Sequence, residues 1–446
     1  MSTLPLLPEA NGDHVVAYRN GLPVTRADLL RDVRSIAATL PATEHVLNLC
    51  KDRYWFAASL LAAISRNIKT YLPNTTAREY VASLQKSLPL ACRIGDHDDG
   101  NEDDLPYRNI ASAMHGANHG VFHAPSIPGN RPVLTIYTSG STGKPQPHQK
   151  TFQRLHQNAA AEADVMWKLA GGECSVVGTV PSQHMYGLES TILLPMLCGG
   201  RLSSRIPFFP KDIAEALAET PPPRLLVTTP FHLRNLLDAD IEIPPVAGVL
   251  SATAMLPSSL AIEAERRLNA PLAEIYGSTE TGQIAFRRPV RHSDWIPYPG
   301  IHLDQAHGKT AAKGGHLERE YDLNDAVEIT DSGTFHLLGR NSDIVNIAGK
   351  RSSLGYLSHI LTGLPGVHDG VYFLPECDEP VRVTRLAAFV VAPQLTSSEI
   401  LSALRKHVDP LFLPRPIIFV PSLPRNGTGK IPAEDLDKFI AAHHPR

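Results

Sequence analysis

Between residues 131 and 290 short apolar runs alternate with amphipathic stretches, each pair joined by a turn. Arg131-Pro132-Val133-Leu134-Thr135-Ile136-Tyr137 runs into a Gly/Ser/Thr loop, Arg224–Thr229 into a helical stretch from Pro230, and Val246–Ser251 into Ser258–Leu268. Leu272-Ala273-Glu274-Ile275-Tyr276 is the fourth run of this kind. Period-2 segments alternating with period-3.6 segments predict an α/β sheet with helices on its faces. In such sheets ligands bind at the carboxyl ends of the strands.

The flanks complete the architecture. Trp55–Ile64 reads as a buried helix and Lys69–Pro73 as a strand leaving the core. After Gly339-Arg340 the character changes: strand-like Leu386–Val391, helical Ser397–His407, strand-like Pro416–Val420 and a helix from Ala433 describe a small α+β unit. At roughly 150 residues per domain, 446 residues hold two or three cores. The expected organisation is a large N-terminal α/β domain over 1–341, with stacked sheets and flanking helices, and a small C-terminal α+β domain over 342–446.

Composition excludes several classes. Lys+Arg 42 against Asp+Glu 45 gives a net charge of −3, with no global basic field for nucleic acid. The longest apolar run, Trp55–Ile64, is far short of the ~20 residues of a membrane-spanning helix. The N-terminus lacks the basic region of a signal peptide. Cys50, Cys92, Cys174, Cys198 and Cys377 form no CxxC pair, as expected of reduced thiols in a cytoplasmic protein. The acidic stretch Asp96–Asp104 lacks EF-hand spacing and reads as a surface loop. His115, His119 and His123 recur every fourth residue, but Gly116 and Gly120 argue against the helix a metal face would need.

Four motifs carry chemistry. Thr138-Ser139-Gly140-Ser141-Thr142-Gly143-Lys144, after a strand, offers N–H, O–H and ammonium donors to phosphate oxygens; it is not a Walker A loop, because Pro145 follows the lysine. Ile275-Tyr276-Gly277-Ser278-Thr279-Glu280 ends a strand with an aromatic for stacking, a hydroxyl for a phosphate and a carboxylate for Mg²⁺. Gly339-Arg340-Asn341-Ser342-Asp343 continues into Asn346-Ile347-Ala348-Gly349-Lys350-Arg351 at the domain boundary. Arg425-Asn426-Gly427-Thr428-Gly429-Lys430 is a glycine-flanked lysine near the C-terminus.

In this order and spacing the four motifs resemble the adenylate-forming superfamily of acyl-CoA synthetases, peptide-synthetase adenylation domains and luciferases. The resemblance runs from Arg131 to Lys430. It implies an ATP-dependent, AMP-forming acid–thiol ligase that uses Mg²⁺ and a small domain that rotates between half-reactions. The loop Thr138–Lys144 would close over the β- and γ-phosphates of ATP. Ser251, Ala252 and Thr253 would flank adenine, Tyr276 would stack on it, and Gly277 and Ser278 would line the nucleotide. Thr279 would contact the α-phosphate and Glu280 would bind Mg²⁺. Asp325 would hold the ribose hydroxyls, with Arg340 on the ribose and phosphate side. Lys430 would reach the substrate carboxylate and α-phosphate, Ser342 would be the hinge, and Gly349 with Lys350 would face the incoming thiol. Two departures stand out. Gln146 follows Pro145 where the family has lysine, with Lys144 or Lys150 as compensating candidates, and Ala252 stands where the family has glycine.

Pro181-Ser182-Gln183-His184-Met185-Tyr186-Gly187 matches the segment that lines the acyl pocket in the family. His184, Tyr186, Gly187, Phe231, His232, Ile275 and Gly277 are the expected lining, polar and aromatic enough for an acid such as 4-hydroxybenzoate. The segment 346–351 resembles aryl-polyene (xanthomonadin-type) ligases, which load an aryl acid onto an acyl carrier protein. No carrier motif follows Lys430, so the phosphopantetheine thiol, of a carrier protein or of CoA, comes in trans. A CoA ligase for short or medium fatty acids is the alternative within the class, and a catalytically degenerate nucleotide-binding homologue the alternative outside it.

Overall fold

The computed structural model describes residues 2–73, 81, 82, 84, 92–97, 106–110, 123–138, 146–306, 309–340, 343–347, 350–375, 385–426 and 429–443. Two sheets dominate the large N-terminal domain. The nine-stranded sheet has a parallel centre in which Ser175–Gly178, Arg224–Thr228, Gly248–Ser251 and Leu272–Ser278 lie side by side. Their residues are buried almost without interruption, as strands covered on both faces must be. Gly282–Arg287 returns antiparallel along Leu272–Ser278.

Pro132–Thr138 belongs to the other sheet. It pairs in parallel with Lys69–Leu72 (Thr70↔Leu134) and antiparallel with Gln146–Thr151 (Gln146↔Thr138), within a six-stranded sheet that also holds His45–Asn48, Cys92–Gly95 and Tyr107–Asn109. The run of similar strands along the sequence is therefore split between two layers. The helix Phe152–Ala170, which apolar runs alone did not single out, joins them: Phe152, Leu155 and Ala159 pack in one apolar cluster, Ala163 and Met166 in another.

Arg53 is a second tie. The side chain is fully buried at the start of the helix Arg53–Ser65 and donates to the carbonyls of Gly178 (2.8 Å) and Val180 (3.2 Å) and to Thr191 Oγ1. Asp96, expected in a solvated loop, accepts from the backbone N–H of Lys51 and Asp52 (3.0 and 2.6 Å) and so fixes the approach to that helix.

The small C-terminal domain has its own core. Asp369–Phe373, Ala387–Val391 and Ile417–Phe419 form a sheet against the helices Leu354–Thr362 and Ser397–Leu404, and Val345 already packs within it. The predicted helix to His407 ends at Leu404. Contacts to the large domain run from Arg234 to the carbonyl of Thr362 (3.1 Å) and from Ser259 to that of Gly363 (3.2 Å). Among the described residues no helix is long and apolar enough to cross a membrane.

Candidate active site

The acyl-pocket candidates gather at the carboxyl ends of the parallel strands. His184 caps the short helix Met185–Leu188. Gly187 is required there: a Cβ would stand 2.0 Å from the Pro181 carbonyl oxygen. The Tyr186 hydroxyl donates across the carbonyls of Thr228 (2.9 Å) and Leu250 (3.0 Å), so the pocket meets its ring and not a spare hydroxyl. His232 is buried in the first turn of Pro230–Asp238, its Nδ1 2.9 Å from Thr229 Oγ1, with Phe208 and Phe231 against its ring. Ile275 is buried and lies opposite Phe286 across the hairpin.

The nucleotide candidates occupy the hairpin that follows. A bulge between Tyr276 and Gly277 brings Gly277 so near the returning strand that a Cβ would lie 2.1 Å from the Gly282 carbonyl. Ser278 and Thr281 brace the turn reciprocally: Ser278 N–H donates to Thr281 Oγ1 (3.1 Å) and Thr281 N–H to Ser278 Oγ (3.2 Å), which leaves Thr279 and Glu280 half-buried at its tip. Tyr276 donates to Asp325 Oδ2 (2.6 Å), and Asp325 is the register partner of Arg340 on the next strand. These residues border a cleft of about 310 Å³ lined by Tyr276, Gly277, Ser278, Glu280, Leu323 and Asp325. Ser251 ends its strand buried, and the left-handed backbone falls on Thr253 (φ 80°) and not on Ala252. Alanine at 252 is therefore compatible with the local geometry, and the strain of about 1–3 kcal/mol sits one residue later.

Lys430 comes from the small domain. Its turn is closed by Gly429 N–H to the Asn426 carbonyl (2.8 Å) and Lys430 N–H to Asn426 Oδ1 (3.0 Å). Arg425 ties the turn to the small-domain sheet through both oxygens of Asp369 (2.7 and 2.6 Å). Gly429 rests on the large domain, with Phe231 Cβ 2.9 Å from where its own Cβ would be. Burial first, and then the Lys430 ammonium, push the His184 imidazole down from 6.5 to about 4. His184 is neutral and Lys430 faces it from across the domain boundary.

Ser139–Lys144, Ser342 and Gly349 lie outside the described residues, as do His115 and His119; Thr138 and Arg340 are placed by their backbone alone. Lys350 is exposed and paired with Asp409. Sequence reasoning missed a buried polar network beneath the hairpin. Gln283 Nε2 donates to Glu162 Oε2 (2.8 Å), Tyr298 donates to Gln283 Oε1 (3.2 Å), and Glu189 is buried nearby. Burial raises Glu162 to about 7 and Glu189 to about 8. The signal was a lone charge inside an apolar stretch, Gly187-Leu188-Glu189-Ser190-Thr191-Ile192.

The residues fit Mg²⁺. Among the described residues no group of three or more His, Cys, Asp or Glu side chains could cage a metal. One half-exposed carboxylate, Glu280, stands beside the nucleotide cleft. Mg²⁺ is commonly held in that way, by one carboxylate and substrate phosphates.

Residues 9–304 match the family described as AMP-binding enzyme, and residues 360–430 its C-terminal domain. The chain is 28% identical over 312 residues to 4-coumarate–CoA ligase of Halorhodospira halophila, covering 67% of this chain and 74% of that one. It is 25% identical over 360 residues to 4-chlorobenzoate–CoA ligase of an Arthrobacter species, covering 70% and 67%. In structure it resembles ATP-bound MatB from Rhodopseudomonas palustris, with a TM-score of 0.82, 17% identity and coverage of 98% and 97%. The chain belongs to the AMP-binding enzyme family, the adenylate-forming superfamily, and groups within it with acid–thiol ligases.

Proposed function

We propose that the protein joins an aromatic carboxylic acid to ATP, forming acyl-AMP and pyrophosphate, and then transfers the acyl group to a phosphopantetheine thiol with release of AMP. The observation that carries this reading is the Lys430 turn seated on Phe231 with its ammonium acting on His184. A lysine carried over from the small domain to the acyl pocket is what the first half-reaction needs.

Both reactants are anions, so their approach requires positive charge where charge accumulates. Lys430 neutralises the acid carboxylate and the α-phosphate as the carboxylate oxygen attacks phosphorus and the bond to pyrophosphate breaks. Tyr276 and Asp325 orient the adenosine, and Thr279 holds the α-phosphate. His184 stays neutral at pH 7 and adds no charge that would compete with Lys430. Mg²⁺ held at Glu280 supplies charge neutralisation for the leaving pyrophosphate. The second half-reaction follows when the small domain (342–446) turns about Ser342, withdraws Lys430 and brings Gly349 to the thiol channel.

The aromatic substrate class is supported by the rings of Phe231 and His232 beside the Lys430 turn and by relatives named for 4-coumarate and 4-chlorobenzoate; 4-hydroxybenzoate is the first acid to test. Those relatives also favour CoA as the acceptor. The pairing of Lys350 with Asp409 removes one of the cations that would recommend an acidic carrier protein. Acid-dependent ATP–pyrophosphate exchange tests the first step, and thioester formation with CoA against a phosphopantetheinylated carrier protein tests the second.

A further inference from the structure

The strand Gln146–Thr151 begins where the sequence departs from its family, at Gln146-Pro147-His148. The lysine further down the strand, a candidate to compensate for Gln146, bonds to protein in this structure. Lys150 is 93% buried, since 7% of it is exposed, and its Nζ donates to the backbone carbonyl of Glu280 at 2.6 Å. Glu189, Glu280 and Glu318 line with it a cavity of about 300 Å³ beside the hairpin tip. The partner that holds the ammonium is the Glu280 carbonyl.

His148, two residues earlier, points to the same face of the strand. Its Nε2 lies 3.5 Å from Glu280 Oε1. The six-stranded sheet therefore meets one residue of the hairpin turn twice, by a hydrogen bond from Lys150 to its main chain and by the approach of His148 to its carboxylate. A charge-assisted bond to a carbonyl is about twice as strong as a neutral one, and it fixes the peptide on which the carboxylate stands.

We propose that Lys150 is the positioning residue for Glu280: it holds the tip of the hairpin so that the carboxylate meets the metal of a bound metal–nucleotide complex, and it does not touch the nucleotide itself. This rests on the reading of Glu280 as the Mg²⁺ carboxylate.

The test is equilibrium binding of ATP by calorimetry, without acid, in Mg²⁺ and in EDTA, for the wild type, Lys150→Met, Lys150→Arg and Glu280→Gln. Lys150→Met weakens ATP binding at least tenfold in Mg²⁺ and less than twofold in EDTA. Lys150→Arg recovers most of the loss, and Lys150→Met adds nothing to Glu280→Gln. Lys150→Gln, an uncharged donor of similar reach, replaces the methionine variant if that one does not fold. Equal weakening with and without Mg²⁺ means that Lys150 contacts phosphate directly and overturns the proposal. Additive losses in the double variant, or no change in either condition, overturn it as well. A wild-type protein that gains ATP affinity from Mg²⁺ yet exchanges pyrophosphate for no acid defeats the functional reading and leaves this one standing.

Discussion

The hairpin tip that carries Thr279 and Glu280 and the turn that carries Lys430 are built in opposite ways. The tip is braced from within by Ser278 and Thr281 and from below by Lys150 and by His316, whose Nε2 lies 3.2 Å from the Thr281 carbonyl. At the base of its strand, Glu274 pairs with Arg287 at 2.6 Å and accepts from Leu256 N–H at 2.7 Å, almost wholly buried. The Lys430 turn has an exposed lysine, an anchor in its own small domain and, at Gly429, a contact with Phe231 of the large domain. On the proposed reading, the groups that hold charge throughout the reaction sit on a fixed frame. On the same reading, the lysine that leaves between half-reactions is carried by the small domain.

This contrast makes graded predictions. Arg287→Met leaves the Glu274 carboxylate buried beside an apolar chain and is expected to cost about 3–5 kcal/mol of stability, measured by denaturant unfolding. A loss below 1 kcal/mol would mean the frame is softer than its bonds imply. Gly429→Ala places a side chain at φ 78° and against Phe231. The strain of about 1–2 kcal/mol should lower pyrophosphate exchange five- to thirtyfold, with little change in the unfolding of the large domain. A variant that unfolds the whole protein would put that turn on the fixed side of the comparison.

The smallest effect is electrostatic. With its imidazole lowered from 6.5 to about 4, His184 contributes stability that is full above pH 6.5 and lost as the pH falls from there through 4, because the unfolded chain takes up the proton first. Lys430→Ala removes the second cause of the shift and keeps the first, so the pKa should rise by less than the burial effect. Histidine resonances in a pH titration read this directly. An unchanged value would separate Lys430 from His184 in solution.

Elements set by neighbouring residues were legible in the sequence. Ser258–Leu268 is the helix expected, and the strands near 224, 248 and 272 lie where their apolar runs predicted. The sheet to which Pro132–Thr138 belongs was not legible, because Lys69–Leu72 and Gln146–Thr151 decide it. Tyr276 and Asp325 were read singly and are joined by one hydrogen bond. The bond from Lys150 to Glu280 runs from one sheet to the hairpin of the other, and no local pattern encodes that. Glu162 and Glu189 escaped notice because a charge in a helix normally faces water, and here both are buried.

The measurement that bears most directly on the account is acid-dependent ATP–pyrophosphate exchange, with Mg²⁺ and no thiol, over hydroxybenzoates, cinnamates and fatty acids, for the wild type and Lys430→Ala. Exchange is expected to peak on an aromatic acid and to fall by about 10²–10³ in the variant, which still folds and binds ATP. Exchange that survives the loss of Lys430, or that no acid elicits from the wild type, would contradict it.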